Sequence, residues 1–130
     1  MNETTPRPEL YTTILRVRNL DQSVQWYCRI FGLQSEHHDN QYRLAVLRAS
    51  SGQTIALREV AADRKISPSG LNSAYVVFMT PDADQTHDRL AGQGEKVGSV
   101  QDHPGVRLFW LYDPDGHPLC VLQFVIDWGG

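Results

Sequence analysis

Leu10-Tyr-Thr-Thr-Ile-Leu-Arg-Val-Arg18 runs directly into Asn19-Leu-Asp-Gln-Ser-Val-Gln-Trp-Tyr-Cys-Arg-Ile-Phe-Gly32, and this passage decides the fold. Its first part, through about Val17, is rich in β-branched residues and predicts a strand. In the second part Leu20, Val24, Tyr27 and Phe31 recur at helical spacing and form one apolar stripe. Asn19 suits the N-cap with Gln22 three residues on, Asp21 suits the positive helix start, and Gly32 suits the stop. A strand therefore feeds a helix whose apolar face must cover a sheet.

Three strand-like runs follow, around Gln34–His38, Tyr42–Arg48 and Thr54–Val60, with Ser50-Ser51-Gly52 as a hairpin turn. The order then repeats. A strand at Leu71–Thr80 leads to a helix from about Ala83 to Ala91, with Asp82 and Gln85 at its cap positions and Gly92 and Gly94 closing it. Strands at Val106–Tyr112 and Leu119–Ile126 flank Asp113-Pro114-Asp115-Gly116, a type I turn pattern. An offset of 63 residues lays Thr12 on Tyr75, and an offset of 64 lays Gly52 on Gly116 and Ala56 on Cys120. The repeat lies in the architecture, since few identities are shared. The expected fold is α+β: two βαβββ modules, residues 10–60 and 71–126, joined by a polar linker at 61–70 and preceded by a loose arm at 1–9. Each sheet has one helix for one face, so the sheets are expected to form a cup-shaped, partly closed surface.

Composition narrows the function. The chain has 130 residues, 41% hydrophobic and 21% charged, with a net charge of −3. That is enough for an ordinary core and offers no basic footprint for nucleic acid. Two cysteines, Cys28 and Cys120, make neither a disulfide framework nor a cysteine zinc site. No apolar run reaches the length of a membrane span and the N-terminus lacks an apolar signal region, so a cytoplasmic protein is expected.

The chain resembles the vicinal oxygen chelate superfamily, which groups glyoxalase I, the bleomycin-resistance proteins and the extradiol dioxygenases. The resemblance is carried by Leu15-Arg16-Val17-Arg18-Asn19-Leu20, Ser23-Val24-Gln25-Trp26-Tyr27, Phe31-Gly32-Leu33 and Leu111-Tyr112-Asp113-Pro114-Asp115-Gly116-His117-Pro118-Leu119, in order from Leu10 to Phe124. It implies paired βαβββ modules, commonly completed by dimerisation, with metal ligands on the first and last strand of each module. Those positions here are Thr12, Ala56, Tyr75 and Cys120. No histidine or carboxylate occurs in 10–17 or 71–80, so no bound metal and no cofactor are expected.

The remaining chemistry is sparse. His37 and His38 are neighbours and would point to opposite faces of a strand. With His87 and His117 they read as solvated loop or helix residues, while His103 precedes a strand and sits near the mouth of the cup. Cys120 has no base in sequence to activate it and reads as a small inert hydrophobe, and Cys28 as packing beneath the helix. Gly92-Gln93-Gly94-Glu95-Lys96-Val97-Gly98 follows a helix and does not open one, so it lacks the phosphate-cradling N-terminus. No Ser/His/Asp set has nucleophile spacing.

Alternation along the strands groups the ligand-facing residues. Thr12 brings Ile14 and Arg16, Ala56 brings Arg58, Tyr75 brings Val77 and Met79, and Cys120 brings Leu122 and Phe124. Trp110 or its neighbours Phe109 and Leu111 join them, depending on hairpin register. Aliphatic members also suit simple core filling, and Arg16 and Arg58 suit salt bridges to Glu36, Glu59 or an Asp. The expected function is metal-independent binding of an organic small molecule in the cup of a homodimer, as the resemblance to bleomycin-resistance proteins implies. A glyoxalase- or dioxygenase-type metalloenzyme with unorthodox ligands, or a partner-binding module, are the alternatives.

Overall fold

A computed structural model describes residues 6–67 and 74–125 of the chain, which falls into two units, 1–62 and 63–130. In the first unit the elements are β1 (Thr13–Val17), α1 (Leu20–Phe31), β2 (Gln34–Asp39), β3 (Leu44–Arg48) and β4 (Thr54–Glu59). They form one open sheet in the order β1-β4-β3-β2, with β1 parallel to β4 and the other pairs antiparallel. The second unit repeats this with β5 (Val76–Met79), α2 (Ala83–Gly92), β6 (Gln101–His103), β7 (Val106–Tyr112) and β8 (Pro118–Phe124), in the order β5-β8-β7-β6. The architecture is α+β, two βαβββ modules. Residues 1–5 of the expected arm, 68–70 of the expected linker, 71–73 of the expected strand and 126 at the end of the last strand lie outside the described residues.

Helix α1 begins and ends where its sequence dictates. The Asn19 side chain accepts the Gln22 N–H at 3.0 Å, and Gly32 takes the left-handed φ of +67° that a side chain resists. The buried stripe differs from the expected one. Leu20, Ser23, Trp26, Tyr27 and Ile30 are buried, whereas Val24 and Phe31 are only half-buried. Trp26 meets Tyr27 edge-on, with ring centroids 4.9 Å apart. Cys28 stays half-buried at the margin.

Beneath α1 lie Leu15, Val17, Ala45, Leu47, Ile55 and Leu57, all buried, each paired in register with another of the set or with its neighbour on that face. The strand expected at Tyr42 starts two residues later. Asp39 Oδ1 accepts the N–H groups of Gln41 and Tyr42, and Arg43 sits at φ +51°, a left-handed conformation that no ladder position tolerates. In the second unit Phe109, Leu111, Leu119 and Val121 fill the space under α2, where the His87 ring stands edge-on to Phe109. The Asp82 side chain caps α2 by accepting the Gln85 N–H.

One strand has no signature in the sequence. β6 is three polar residues paired antiparallel with β7, and it supplies the fourth strand of the second module. Arg107 on β7 ties Asp102 on β6 and Asp84 on α2 to one guanidinium.

Candidate functional site

Each sheet has a second face, turned away from its helix, and the ladder registers define who stands there. In the first module Ile14 pairs with Ala56 and Ala56 with Val46, while Arg16 pairs with Arg58 and Arg58 with Leu44. Thr12 precedes β1 by one residue and belongs to the same side by alternation. Val46 and Ala56 are buried; Ile14, Arg16 and Arg58 are exposed. In the second module Val77 pairs with Cys120 and Cys120 with Trp110, and Met79 pairs with Leu122. Tyr75 precedes β5 and stands edge-on to Trp110, with ring centroids 5.0 Å apart. This resolves the hairpin register: Trp110 lies on the helix-free face, and Phe109 and Leu111 lie under α2. The turn that sets it is the Asp113-to-Gly116 loop, where Asp113 Oδ1 accepts the N–H groups of Asp115 and His117.

Every site residue expected from sequence is thus on one of two faces: Thr12, Ile14, Arg16 and Arg58 in the first module, and Tyr75, Val77, Trp110, Cys120 and Leu122 in the second. The sequence reading missed Leu44 and Val46, because Leu44-Ala45-Val46-Leu47 is apolar on both faces and carries no alternation to read. It also missed Gln101, which pairs with Leu108 on the same side as Trp110; His103, expected near the mouth of the cup, pairs with Val106 on that side too. His103 Nε2 and Gln101 Oε1 are 3.1 Å apart.

Two expectations about charged groups are corrected. The pairing expected for Arg58, with Glu36, Glu59 or an Asp, is not made: Glu36 pairs with Arg48 and Glu59 with Arg43. Arg58 makes no ion pair with any described residue. His117 is not solvated: it is 4% exposed, enclosed by the same turn that Asp113 organises. His37 and His38 do diverge, pairing with Val46 and Ala45 on opposite faces, and His38 Nε2 lies 3.7 Å from Asp21 at the start of α1.

The four positions that could hold a metal can be tested by what they offer. Thr12 presents a hydroxyl, buried and without a hydrogen-bond partner among the described residues. Ala56 presents a methyl, with no donor atom at all. The Tyr75 ring leans on Trp110. Cys120 is 3% exposed, and burial pushes its thiol above the usual cysteine range, opposite to the shift a thiolate ligand needs. A divalent ion wants three or four converging N, O or S donors. These residues do not fit one, and among the described residues no group of three or more His, Cys, Asp or Glu is placed to hold a metal.

Comparison with known proteins agrees with the fold. A probable lactoylglutathione lyase of Synechocystis sp. is 24% identical over 123 residues, 88% of this chain and 94% of that one. A glyoxylase/bleomycin resistance protein/dioxygenase domain from Frankia sp. EAN1pec has a TM-score of 0.73 at 22% identity, covering 92% of this chain and 99% of its own. The fosfomycin resistance protein FosX from Listeria monocytogenes has the same TM-score at 15% identity, with 93% and 97% covered. At such identities the structural likeness speaks for the fold alone. Among the described residues no helix is long and apolar enough to cross a membrane. The family model of the Glyoxalase/Bleomycin resistance protein/Dioxygenase superfamily matches residues 10–121, and the chain belongs to that superfamily.

Proposed function

We propose that this protein binds an organic small molecule without a metal, in the manner of the superfamily's bleomycin-resistance branch. The observation that carries the reading is the donor set. Thr12, Ala56, Tyr75 and Cys120 stand at the superfamily's four ligand positions and offer a hydroxyl, a methyl, a phenol and a protonated thiol. Around them the helix-free faces are mainly apolar, with a few hydroxyl and guanidinium groups to orient a ligand, which is the usual make-up of an organic binding site. Neither nucleic acid nor a membrane is a partner in this reading. The protein acts as a homodimer in a reducing compartment such as the cytoplasm, where Cys28 and Cys120 stay free.

A second reading, a lactoylglutathione lyase-type enzyme, is favoured by one observation: the Synechocystis relative is matched over 94% of its length. Its chemistry polarises a carbonyl and calls for an electrophile. Metal analysis separates the two. Purified protein should carry well under one equivalent of zinc, nickel, iron and manganese, and a chelator should leave its melting temperature unchanged. A ligand screen on the chelated protein should still find compounds that raise that temperature. About one equivalent of metal, lost together with stability on chelation, replaces this reading with the enzyme.

A further inference from the structure

Tyr75 and Trp110 are not needed to build the second module. The internal repeat supplies the control: Thr12 stands where Tyr75 stands, and Val46 stands beside Ala56 as Trp110 stands beside Cys120. The first module makes the same ladders with a hydroxyl and an isopropyl at those places. The two aromatics also do not behave as core. Tyr75 is 41% exposed, Trp110 is half-buried, and the rings under α2 are Phe109 and His87 instead.

Their geometry is that of a corner. The ring planes meet at 65° with centroids 5.0 Å apart, so the pair is edge-to-face, and the Tyr75 ring is exposed beside it. The floor beside it is Val77, Cys120 and Leu122, none of them charged. Neither the Tyr75 hydroxyl nor the Trp110 Nε1–H is bonded to a described residue, so the pair keeps two hydrogen-bond donors. Gly98 keeps the corner's back wall close: its N–H donates to the Trp110 carbonyl at 2.8 Å, and a Cβ there would meet that oxygen at 3.4 Å.

We infer that Tyr75 and Trp110 form a stacking platform for a neutral, planar aromatic group that carries a hydrogen-bond acceptor at its edge. An ionised group would find no counter-charge on this floor, and a saturated ring would forgo the stacking. The inference rests on the metal-independent binding reading and names the ligand class that the second module takes.

The test is equilibrium dialysis of the full chain against coumarin, a neutral planar ring with a carbonyl acceptor. Octahydrocoumarin is the saturated control and coumarin-3-carboxylate the charged one. Coumarin should bind, with each control weaker by about tenfold or more, the scale of one aromatic stacking interaction. Trp110→Leu and Tyr75→Leu keep apolar bulk and should each lose about tenfold in affinity, whereas Tyr75→Phe should lose only the few-fold that one hydroxyl supplies. Thermal unfolding of each variant confirms that it folds; Tyr75→Phe, at an exposed position, remains as a probe if Trp110→Leu does not. Absence of coumarin binding, equal binding of octahydrocoumarin, or unchanged affinity in both leucine variants overturns the platform. Compounds from the thermal screen that still bind Trp110→Leu would then leave the binding reading standing without it.

Discussion

Individual residues carry the most specific chemistry of this chain, and two of them can be interrogated through protons. Glu59 accepts the Leu20 N–H at the start of α1 at 2.9 Å and both Nε and Nη2 of Arg43 at 3.2 and 3.1 Å. The hydrogen bonds from Arg43, then from Leu20, hold its carboxyl below the usual range. A carboxyl whose value is lowered by folding stabilises the protein fully above its unfolded value of about 4.3, and that contribution disappears as the pH falls through the lower folded value. Glu59→Gln should therefore melt below the wild type at pH 7, with the gap closing below about pH 4. Melting curves of both proteins from pH 3 to pH 8 check this; a gap constant across the range would show that the charge plays no part. Cys120 makes a different case. Burial raises its thiol and Cys28's as well, so less thiolate is present at neutral pH than in a free cysteine. Native protein should react slowly with a thiol reagent, and Cys120 should be fully titrated only after denaturation. Fast stoichiometric labelling of Cys120 in the native state would make it a nucleophile.

At the scale of elements, legibility followed local chemistry. Helix α1 could be bounded from Asn19 and Gly32 because both ends are set by the residues themselves, a side-chain acceptor and a left-handed φ. Asn19→Ala should thus cost about 1 kcal/mol of stability, measured by denaturant unfolding. The stripe on α1 was less legible: spacing favoured Val24 and Phe31, but the space under the helix took Ser23, Trp26 and Ile30. Spacing says which residues share a face and not where that face is centred, since a helix can rotate by one residue and keep its period. β6 was illegible because Gln101-Asp102-His103 has no apolar side to display; it is a strand only because β7 offers it a ladder. Arg43 shows the same limit, ending a turn by a positive φ that no arginine advertises. The arginine pairings also escaped reading. Which acid meets which guanidinium depends on sheet register, so Glu36 and Glu59 went to Arg48 and Arg43 and not to Arg58.

For the whole molecule the repeat was the strongest clue, because one architecture read twice constrains two sheets at once, and the offsets that aligned Ala56 with Cys120 reappear as matching ladders. What the repeat does not contain is the partner, and the sheet edges bear on that. The first sheet ends on one side in β2, Gln-Ser-Glu-His-His-Asp, and the second in β6, both polar and therefore poor templates for further pairing. The opposite ends are β1 and β5, Thr-Ile-Leu-Arg-Val and Val-Val-Phe-Met, short and mainly apolar, with Arg16 the one charge on β1 and none on β5. Ile14 on β1 is 54% exposed and Met79 on β5 is 74% exposed. Apolar strands left at the ends of sheets invite a second copy, and a stable interface would bury well over about 1,000 Å² in total. Light scattering at micromolar concentration should accordingly give twice the chain mass of 14.7 kDa. Ile14→Lys and Met79→Lys, each placing a charge on one of these edges, should shift the mass toward that of a single chain without loss of helical signal. A wild-type protein that scatters as 14.7 kDa across that range would mean that these edges are tolerated bare and that binding is complete within one chain.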